Sequence, residues 1–252
     1  MALRLKSRFR GQQSALALKA AIFGVFLILV NLGGFGPIPI LFFIVCAAIL
    51  YCAPLSNSLA YLPSFGAIVL LSILLSFKMS RDWRLAAAAF VSIILFYCLL
   101  GLKNFFFVYR QRGHYLMQLL IFYGIFLAFF LSDRSMYFFW KLGAIFLSTF
   151  LLTNEFFKII PPQGQDRGTV IVKARIAAGV LAFIISESVF AISFMPLNFV
   201  NSANLAFLLF FALSDIIRRY LENNISKRSI LANATIFVLV AILIFFASSW
   251  SI

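Results

Sequence analysis

The chain has 252 residues, of which 64% are hydrophobic and only 11% are charged. Soluble domains are about 45–50% apolar and about 25% charged. A protein of this size has too much surface to bury so many additional apolar side chains away from water, so an ordinary soluble domain is excluded. The formal charge of +14 does not indicate nucleic-acid binding, because the basic residues lie in short clusters between apolar runs, where they are expected to contact anionic lipid headgroups.

The apolar runs predict membrane-spanning helices. They are continuous, which excludes the alternation of a barrel, and a helix of around 20 residues crosses the hydrocarbon layer. We predict an all-α, polytopic transmembrane helix bundle of about nine spans (eight to nine), forming one integral membrane domain over residues 1–252. The predicted spans cover residues 16–32, 38–53, 59–77, 85–102, 115–132, 136–153, 176–194, 203–217 and 230–250. Spans 38–53 and 203–217 are short, and the sequence leaves open whether they cross fully.

The distribution of Lys and Arg predicts the orientation. With the N-terminus in the cytoplasm, cytoplasmic segments carry 15 of these residues and outer segments carry 4. Because basic residues collect in cytoplasmic loops, we predict an N-terminus inside and a C-terminus outside. The basic N-terminal segment, 1–14, and a loop over 154–175 are then cytoplasmic, and the loop over 78–84, with three basic residues, is the exception. No small-residue cleavage site follows the first apolar stretch, which we therefore interpret as an uncleaved anchor.

Glu187 is the residue most informative about function. It lies about 11 residues into the seventh predicted span, roughly 16 Å along the helix and near mid-membrane, where an acid ordinarily faces the bundle interior. Ser186 and Ser188 flank it. Two interpretations stay open: a proton relay or an ion or substrate contact, or a protonated carboxyl that hydrogen-bonds to a neighbouring helix. Lys141 is a candidate ion-pair partner, whereas Lys19 would reach Glu187 only with strain; otherwise both lysines are expected to snorkel to the membrane surface.

Two further acids have basic residues at helical spacing. Asp215 precedes Arg218 and Arg219 by three and four residues, which predicts a local pair at the cytoplasmic end of the eighth span. Glu155 and Lys158 form a similar i,i+3 pair. We interpret both sets as interface anchors.

The sequence offers no catalytic, metal or cofactor site. The single histidine, His114, lies in a predicted basic loop without acidic or cysteine neighbours, and the three cysteines lack CxxC spacing. No HExxH, GxSxG or paired-Asp motif occurs. We therefore predict no catalytic residues, metal or cofactor.

The C-terminal third carries a recognisable series of polar, proline and aromatic positions. The series is Glu187, Ser193-Phe-Met-Pro196-Leu, Asn201-Ser-Ala203, Asp215, Leu221 followed by Ser226-Lys-Arg228, and Trp250. It resembles poorly characterised multi-span bacterial membrane proteins, and the resemblance implies a helical membrane fold and no particular activity. We expect a multi-pass protein of the cell membrane, the inner membrane of a bacterium.

Three functions stay open. The favoured ones are a non-catalytic membrane subunit that packs against membrane protein partners and a small transporter-like protein that uses Glu187. The alternative is an enzyme acting on a lipid-linked substrate, whose phosphate headgroup the basic loops would hold. For that enzyme we find no cluster of acids or nucleophiles at one membrane face.

Overall fold

The computed structural model describes residues 2–53, 58–78, 83–104, 110–132, 137–159, 167–222 and 226–247. These residues form nine α-helices and one short 3-10 helix, Ser58–Tyr61, without a β-strand among them. The helices are α1 (Ala2–Leu32), α2 (Pro37–Cys52), α3 (Leu62–Lys78), α4 (Trp83–Lys103), α5 (Arg110–Leu131), α6 (Phe138–Ile159), α7 (Arg167–Ser193), α8 (Phe199–Leu221) and α9 (Lys227–Ala247). The predicted all-α class is confirmed.

Six of the described helices are long and apolar enough to cross a membrane. They are α1, α3, α4, α5, α7 and α8, and their apolar stretches run for 19 to 23 residues. The eighth predicted span, over 203–217, is part of the 23-residue α8, which is long enough to cross. By contrast, α2 has only 16 residues, or about 24 Å of helix.

Several segments predicted as loops are helical. The predicted loop over 154–175 is shorter than expected, because α6 continues to Ile159 and α7 begins at Arg167; its proline pair, Pro161 and Pro162, lies outside the described residues. The predicted loop around His114 is also wrong, since α5 begins at Arg110. Polar residues continue these helices beyond their apolar runs, so the end of an apolar run does not mark the end of a helix.

The chain divides into two compact units, Met1–Ile121 and Phe122–Ile252, with the boundary inside α5. The sequence did not suggest this division. In the first unit, α4 packs against α1 and α3, and α2 lies against the same two helices. In the second unit, α7 packs against α6 and α8, and α8 also packs against α9.

Aromatic rings and a close helix contact form the core of the first unit. The rings of Phe23 and Phe96 stack with centroids 4.2 Å apart, and Phe43 lies 5.1 Å from Phe23. At Gly24, a side-chain carbon would lie 2.4 Å from Ile93 Cδ1. Glycine therefore allows α1 and α4 to approach each other closely.

In the second unit, α7 has a packed face of small residues and an exposed apolar face. Ala174, Ala178 and Ala182, spaced four residues apart, are fully buried, and small residues of this kind let helix backbones approach within a membrane. On the other side, Val180 and Phe183 are 51% and 59% exposed. Such an apolar surface requires hydrocarbon or another protein around it.

Candidate functional site

Glu187 lies on the exposed face of α7. Ile185 and Val189, two residues before and after it, are fully buried, and a step of two residues turns about 200° around a helix. The carboxyl therefore lies opposite the packed face, next to Phe183 and Ile184, which are 59% and 39% exposed. The expectation that this acid faces the bundle interior is wrong, because the interior face of α7 is occupied by alanine, other aliphatic and serine side chains.

The depth of Glu187 differs slightly from the predicted depth. The apolar stretch of α7 runs from Ile171 to Ser193, so Glu187 lies about five residues, or roughly 7.5 Å, from its midpoint. In a bilayer centred on that stretch, Glu187 would lie within the hydrocarbon, whose half-thickness is about 15 Å. Because Cα–Cβ bonds tilt toward the helix N-terminus, the side chain leans toward the midpoint and away from the nearer end.

The residues predicted to act with Glu187 do not join it. Ser186 and Ser188 donate their hydroxyl hydrogens to the carbonyls of Ala182 and Ile184, at 2.8 and 2.7 Å. Within the part of the chain that the structure describes, Glu187 makes no hydrogen bond or ion pair, and the candidate pair with Lys141 is therefore not formed. The carboxyl is left among hydrocarbon side chains.

Asp215, in contrast, is enclosed by donors at the end of α8. Its carboxylate lies 3.0 Å from Arg218 Nη2 and 2.7 Å from Arg219 Nε. Asn233 of α9 donates a third hydrogen bond, at 2.9 Å. The Asp215 side chain is only 10% exposed. The cluster links α8 to α9. The sequence does not indicate Asn233 as a partner, because it lies 18 residues from Asp215 and therefore outside any helical spacing pattern.

The second predicted anchor pair is not formed. Glu155 is buried on α6, whereas Lys158 is exposed and makes no ion pair with a described residue. The i,i+3 spacing permits such a pair. However, in α6, which packs against α7, Glu155 is buried and Lys158 is exposed.

Two lysines of the first unit bind the C-terminal end of α2. Lys103, the last residue of α4, is 1% exposed, and its ammonium donates to the Tyr51 carbonyl and lies 4.6 Å from the centroid of the Tyr51 ring. Lys19 of α1 donates to the carbonyl of Ala53, just after α2. Carbonyls at a helix C-terminus lack intrahelical donors and carry partial negative charge, so cations are stabilised there. We interpret this arrangement as a structural cap.

His114 is buried on α5, not in a loop. Its ring lies edge-on to that of Tyr61, with centroids 5.3 Å apart. Among the described residues, no group of three or more His, Cys, Asp or Glu side chains is close enough to hold a metal ion.

A cavity of about 170 Å³ lies in the second unit, where α5 and α7 end and α6 and α8 begin. Aromatic and leucine side chains form its walls, and a lysine and three serines supply its polar groups. Its lining residues are Phe129, Phe130, Ser132, Phe138, Lys141, Ser193, Leu197, Phe199 and Ser202. Lys141 is noticeable in the sequence as a lysine within an apolar run, but the other lining residues are not. The lining residues come from four helix ends that are distant in sequence.

The described residues thus contain four polar features of different kinds: an exposed acid on α7, an ion cluster at the α8–α9 junction, a lysine cap at the end of α2, and a cavity lined in part by Lys141. This chain matches no protein-family model, no curated protein and no solved structure.

Proposed function

We propose that this chain is a non-catalytic membrane subunit that associates with another membrane protein through the exposed face of α7. The observation that carries the proposal is the position of Glu187, an acid exposed on an apolar helix face within the span. The partner is a transmembrane helix that presents a cation or an amide donor at the same depth.

The energy of an acid in hydrocarbon supports this proposal. On insertion scales an acidic residue at the centre of a span costs about 2.5–3.5 kcal/mol. Glu187 receives no compensating hydrogen bond from the described residues. A partner helix that donates such a bond would contribute about 1–2 kcal/mol, as polar contacts do between model membrane helices. Val180, Phe183 and Ala191, all exposed on the same face, would pack against that helix.

Charge complementarity favours a different protein over a second copy of this chain. The described lysines within or beside the apolar stretches of the first unit are engaged, Lys19 by Ala53 and Lys103 by Tyr51. Lys141 lines a cavity in the first turn of α6. Among the described residues, a second copy in the same orientation therefore presents no exposed cation at the depth of Glu187, because the exposed Lys173 and Arg175 of α7 lie about 21 and 18 Å away along the helix. An unrelated helix can carry such a cation.

The same position of Glu187 favours a subunit over a carrier. A proton relay or substrate contact requires a carboxyl that faces the interior or a cavity. Glu187 faces away from the packed side of α7 and does not line the described cavity.

Photo-crosslinking tests the proposed association. A photoreactive residue at Phe183 in the full chain, expressed in its native membrane, should give one reproducible protein adduct that Glu187→Leu abolishes. The matched control is the same probe at Leu239, which is 57% exposed on α9 and has no acid beside it. Exchange of charge, with Glu187→Lys and an acid at the partner's contacting residue, should restore the adduct. Adducts that persist in Glu187→Leu, or that contain only copies of this chain, would contradict the proposal.

We also propose nine spans in the cell membrane, the inner membrane of a bacterium, with the N-terminus in the cytoplasm and the C-terminus outside. The 15 to 4 distribution of Lys and Arg supports this orientation. In that orientation the basic cytoplasmic segments contact anionic lipid headgroups. Reporter enzymes fused to each terminus test it: an exported phosphatase should be active only at the C-terminus, and equal activity at both ends would mean an even number of spans.

A further inference from the structure

We propose that the cavity of the second unit binds the acyl ester of a membrane glycerolipid, with the ester carbonyl as the hydrogen-bond acceptor. The cavity combines a serine hydroxyl, the start of α8 and apolar walls. These groups match an uncharged polar oxygen that is joined directly to hydrocarbon. Lys141 also lines the cavity, but it already has an interaction within the chain, so the ligand is assigned no negative charge.

The cavity lies at the depth where acyl esters occur in a bilayer. Two of its lining residues mark the ends of apolar stretches: Ser193 is the last residue of the stretch in α7, and Phe199 is the first residue of the stretch in α8. A third, Ser132, directly follows the stretch in α5, which ends at Leu131. In a bilayer centred on these stretches, the cavity would lie at the edge of the hydrocarbon core, next to the headgroup layer. Ester groups join the hydrocarbon chains of glycerolipids to their headgroups at this edge.

One serine of the cavity has a hydroxyl that is available to a ligand. Ser202 lines the cavity, is only 3% exposed and makes no hydrogen bond through its hydroxyl to a described residue. Ser132 and Ser193, by contrast, donate to the carbonyls of Phe129 and Phe190, at 3.0 and 2.6 Å. Because a buried hydroxyl without a partner is costly, an acceptor oxygen that enters the cavity is favoured there.

The start of α8 adds to the preference for an acceptor. The Asn198 side chain accepts a hydrogen bond from Asn201 N at 2.8 Å, and Ser202 N donates to the Asn198 carbonyl at 3.0 Å. Helix geometry leaves the N–H groups of Phe199 and Val200, in the first turn, outside the helical hydrogen-bond ladder. Phe199 lines the cavity, so the partial positive charge of this helix end adjoins it and favours the partially negative oxygen of an ester carbonyl.

The apolar side and the size of the cavity define the rest of the ligand. Phe129 and Phe138, whose ring centroids are 6.0 Å apart, form part of the wall, with Phe130 and Leu197. A volume of about 170 Å³ is several times the roughly 30 Å³ of one water and below the range of about 300–1,000 Å³ typical of pockets that enclose whole ligands. The cavity therefore accommodates the ester and the adjoining part of one acyl chain, while the rest of the lipid would remain in the bilayer.

Native mass spectrometry of the full chain in detergent tests this site with two phosphatidylcholines that have the same chains, one with ester linkages and one with ether linkages. The ether lipid lacks the carbonyls but keeps the headgroup and the hydrocarbon. The wild-type chain should bind the ester lipid about threefold to tenfold more tightly, and Ser202→Ala should reduce that preference to within about twofold. Ser188→Ala is the matched control and should keep the preference, since the Ser188 hydroxyl is exposed on α7, donates to Ile184 and lies outside the cavity.

Two further measurements locate the site and identify the recognised group. Leu197→Trp fills part of the cavity and should weaken binding of the ester lipid. The ester and ether forms of phosphatidylglycerol should show the same preference as the phosphatidylcholines, because the site holds the linkage and not the headgroup.

Equal binding of the ester and ether lipids to the wild-type chain would overturn the inference, and so would a preference that persists in Ser202→Ala. A preference seen with phosphatidylglycerol alone would assign the cavity to a charged headgroup and would also overturn it. The result is independent of the proposed subunit function, because Glu187 does not line this cavity.

Discussion

Asp215 and Glu187 are both acids within apolar helices of the second unit, yet their surroundings differ completely. Asp215 is 10% exposed and receives hydrogen bonds from two arginines and an asparagine. Glu187 is exposed among hydrocarbon side chains and has no partner among the described residues. The fold of this chain explains the first acid, whereas the proposed subunit function assigns the second to a partner helix. Substitutions should therefore change stability at one site and association at the other.

The largest loss of stability is expected from Asp215→Asn. The variant leaves Arg218 and Arg219 without their shared anion, and because both arginines are about one-third exposed, we expect a loss of about 2–4 kcal/mol, between the values for surface and buried pairs. Unfolding of the purified chain in mixed micelles measures it. Glu222→Gln is the matched control, since Glu222 is 35% exposed and 4.0 Å from Arg218; it should cost under about 1 kcal/mol. Equal effects of the two variants would refute the structural role of Asp215.

Lys103→Met extends the comparison to a buried cation. Methionine nearly keeps the volume of the side chain but removes the hydrogen bond from the Lys103 ammonium to the Tyr51 carbonyl and the contact of that ammonium with the Tyr51 ring. We expect the unfolding free energy to fall by about 1–3 kcal/mol. Lys158→Met, at an exposed position on α6, should leave it unchanged within about 0.5 kcal/mol. An unchanged unfolding free energy in Lys103→Met would mean that Lys103 contributes nothing to the stability of the cap at α2.

A smaller change in stability, and one of opposite sign, is expected from the removal of a buried hydroxyl. Thr149 is fully buried on α6, and its hydroxyl has no hydrogen-bond partner among the described residues. Thr149→Val keeps the shape and removes the unsatisfied group, so it should stabilise the chain by about 0.5–1 kcal/mol. In the control, Thr235→Val, the hydroxyl is exposed and donates to Leu231, and no such gain should occur. Loss of stability in Thr149→Val would indicate that this hydroxyl has a partner.

The smallest change in stability is expected at Glu187. Because the side chain is exposed in the folded chain, Glu187→Gln should alter the unfolding free energy of the isolated chain by less than about 0.5 kcal/mol. The same variant should weaken the cross-linked complex formed through α7, since an amide replaces a group that can pair with a cation. A large loss of stability in the isolated chain would mean that the fold itself requires Glu187, as it requires Asp215.

Several features followed from the sequence alone. The excess of apolar residues and the length of the apolar runs determined an all-helical protein with membrane-compatible spans, because hydrocarbon requires internal hydrogen bonding of the backbone. The spacing of Asp215, Arg218 and Arg219 also indicated neighbours on one face of a helix, and the structure contains both ion pairs. These features are local, so hydropathy and helical periodicity are sufficient to find them.

The direction in which each polar residue faces became clear only from the packing of the helices. Glu187 is exposed although an interior position was expected, His114 is buried although a loop was expected, and Asn233 reaches Asp215 from another helix. The cavity around Lys141 joins four helix ends that are distant in sequence. Because almost every position in these helices is apolar, periodicity does not distinguish the packed face from the lipid-facing one. That choice depends on close contacts between small side chains of neighbouring helices, which arise only when the chain folds.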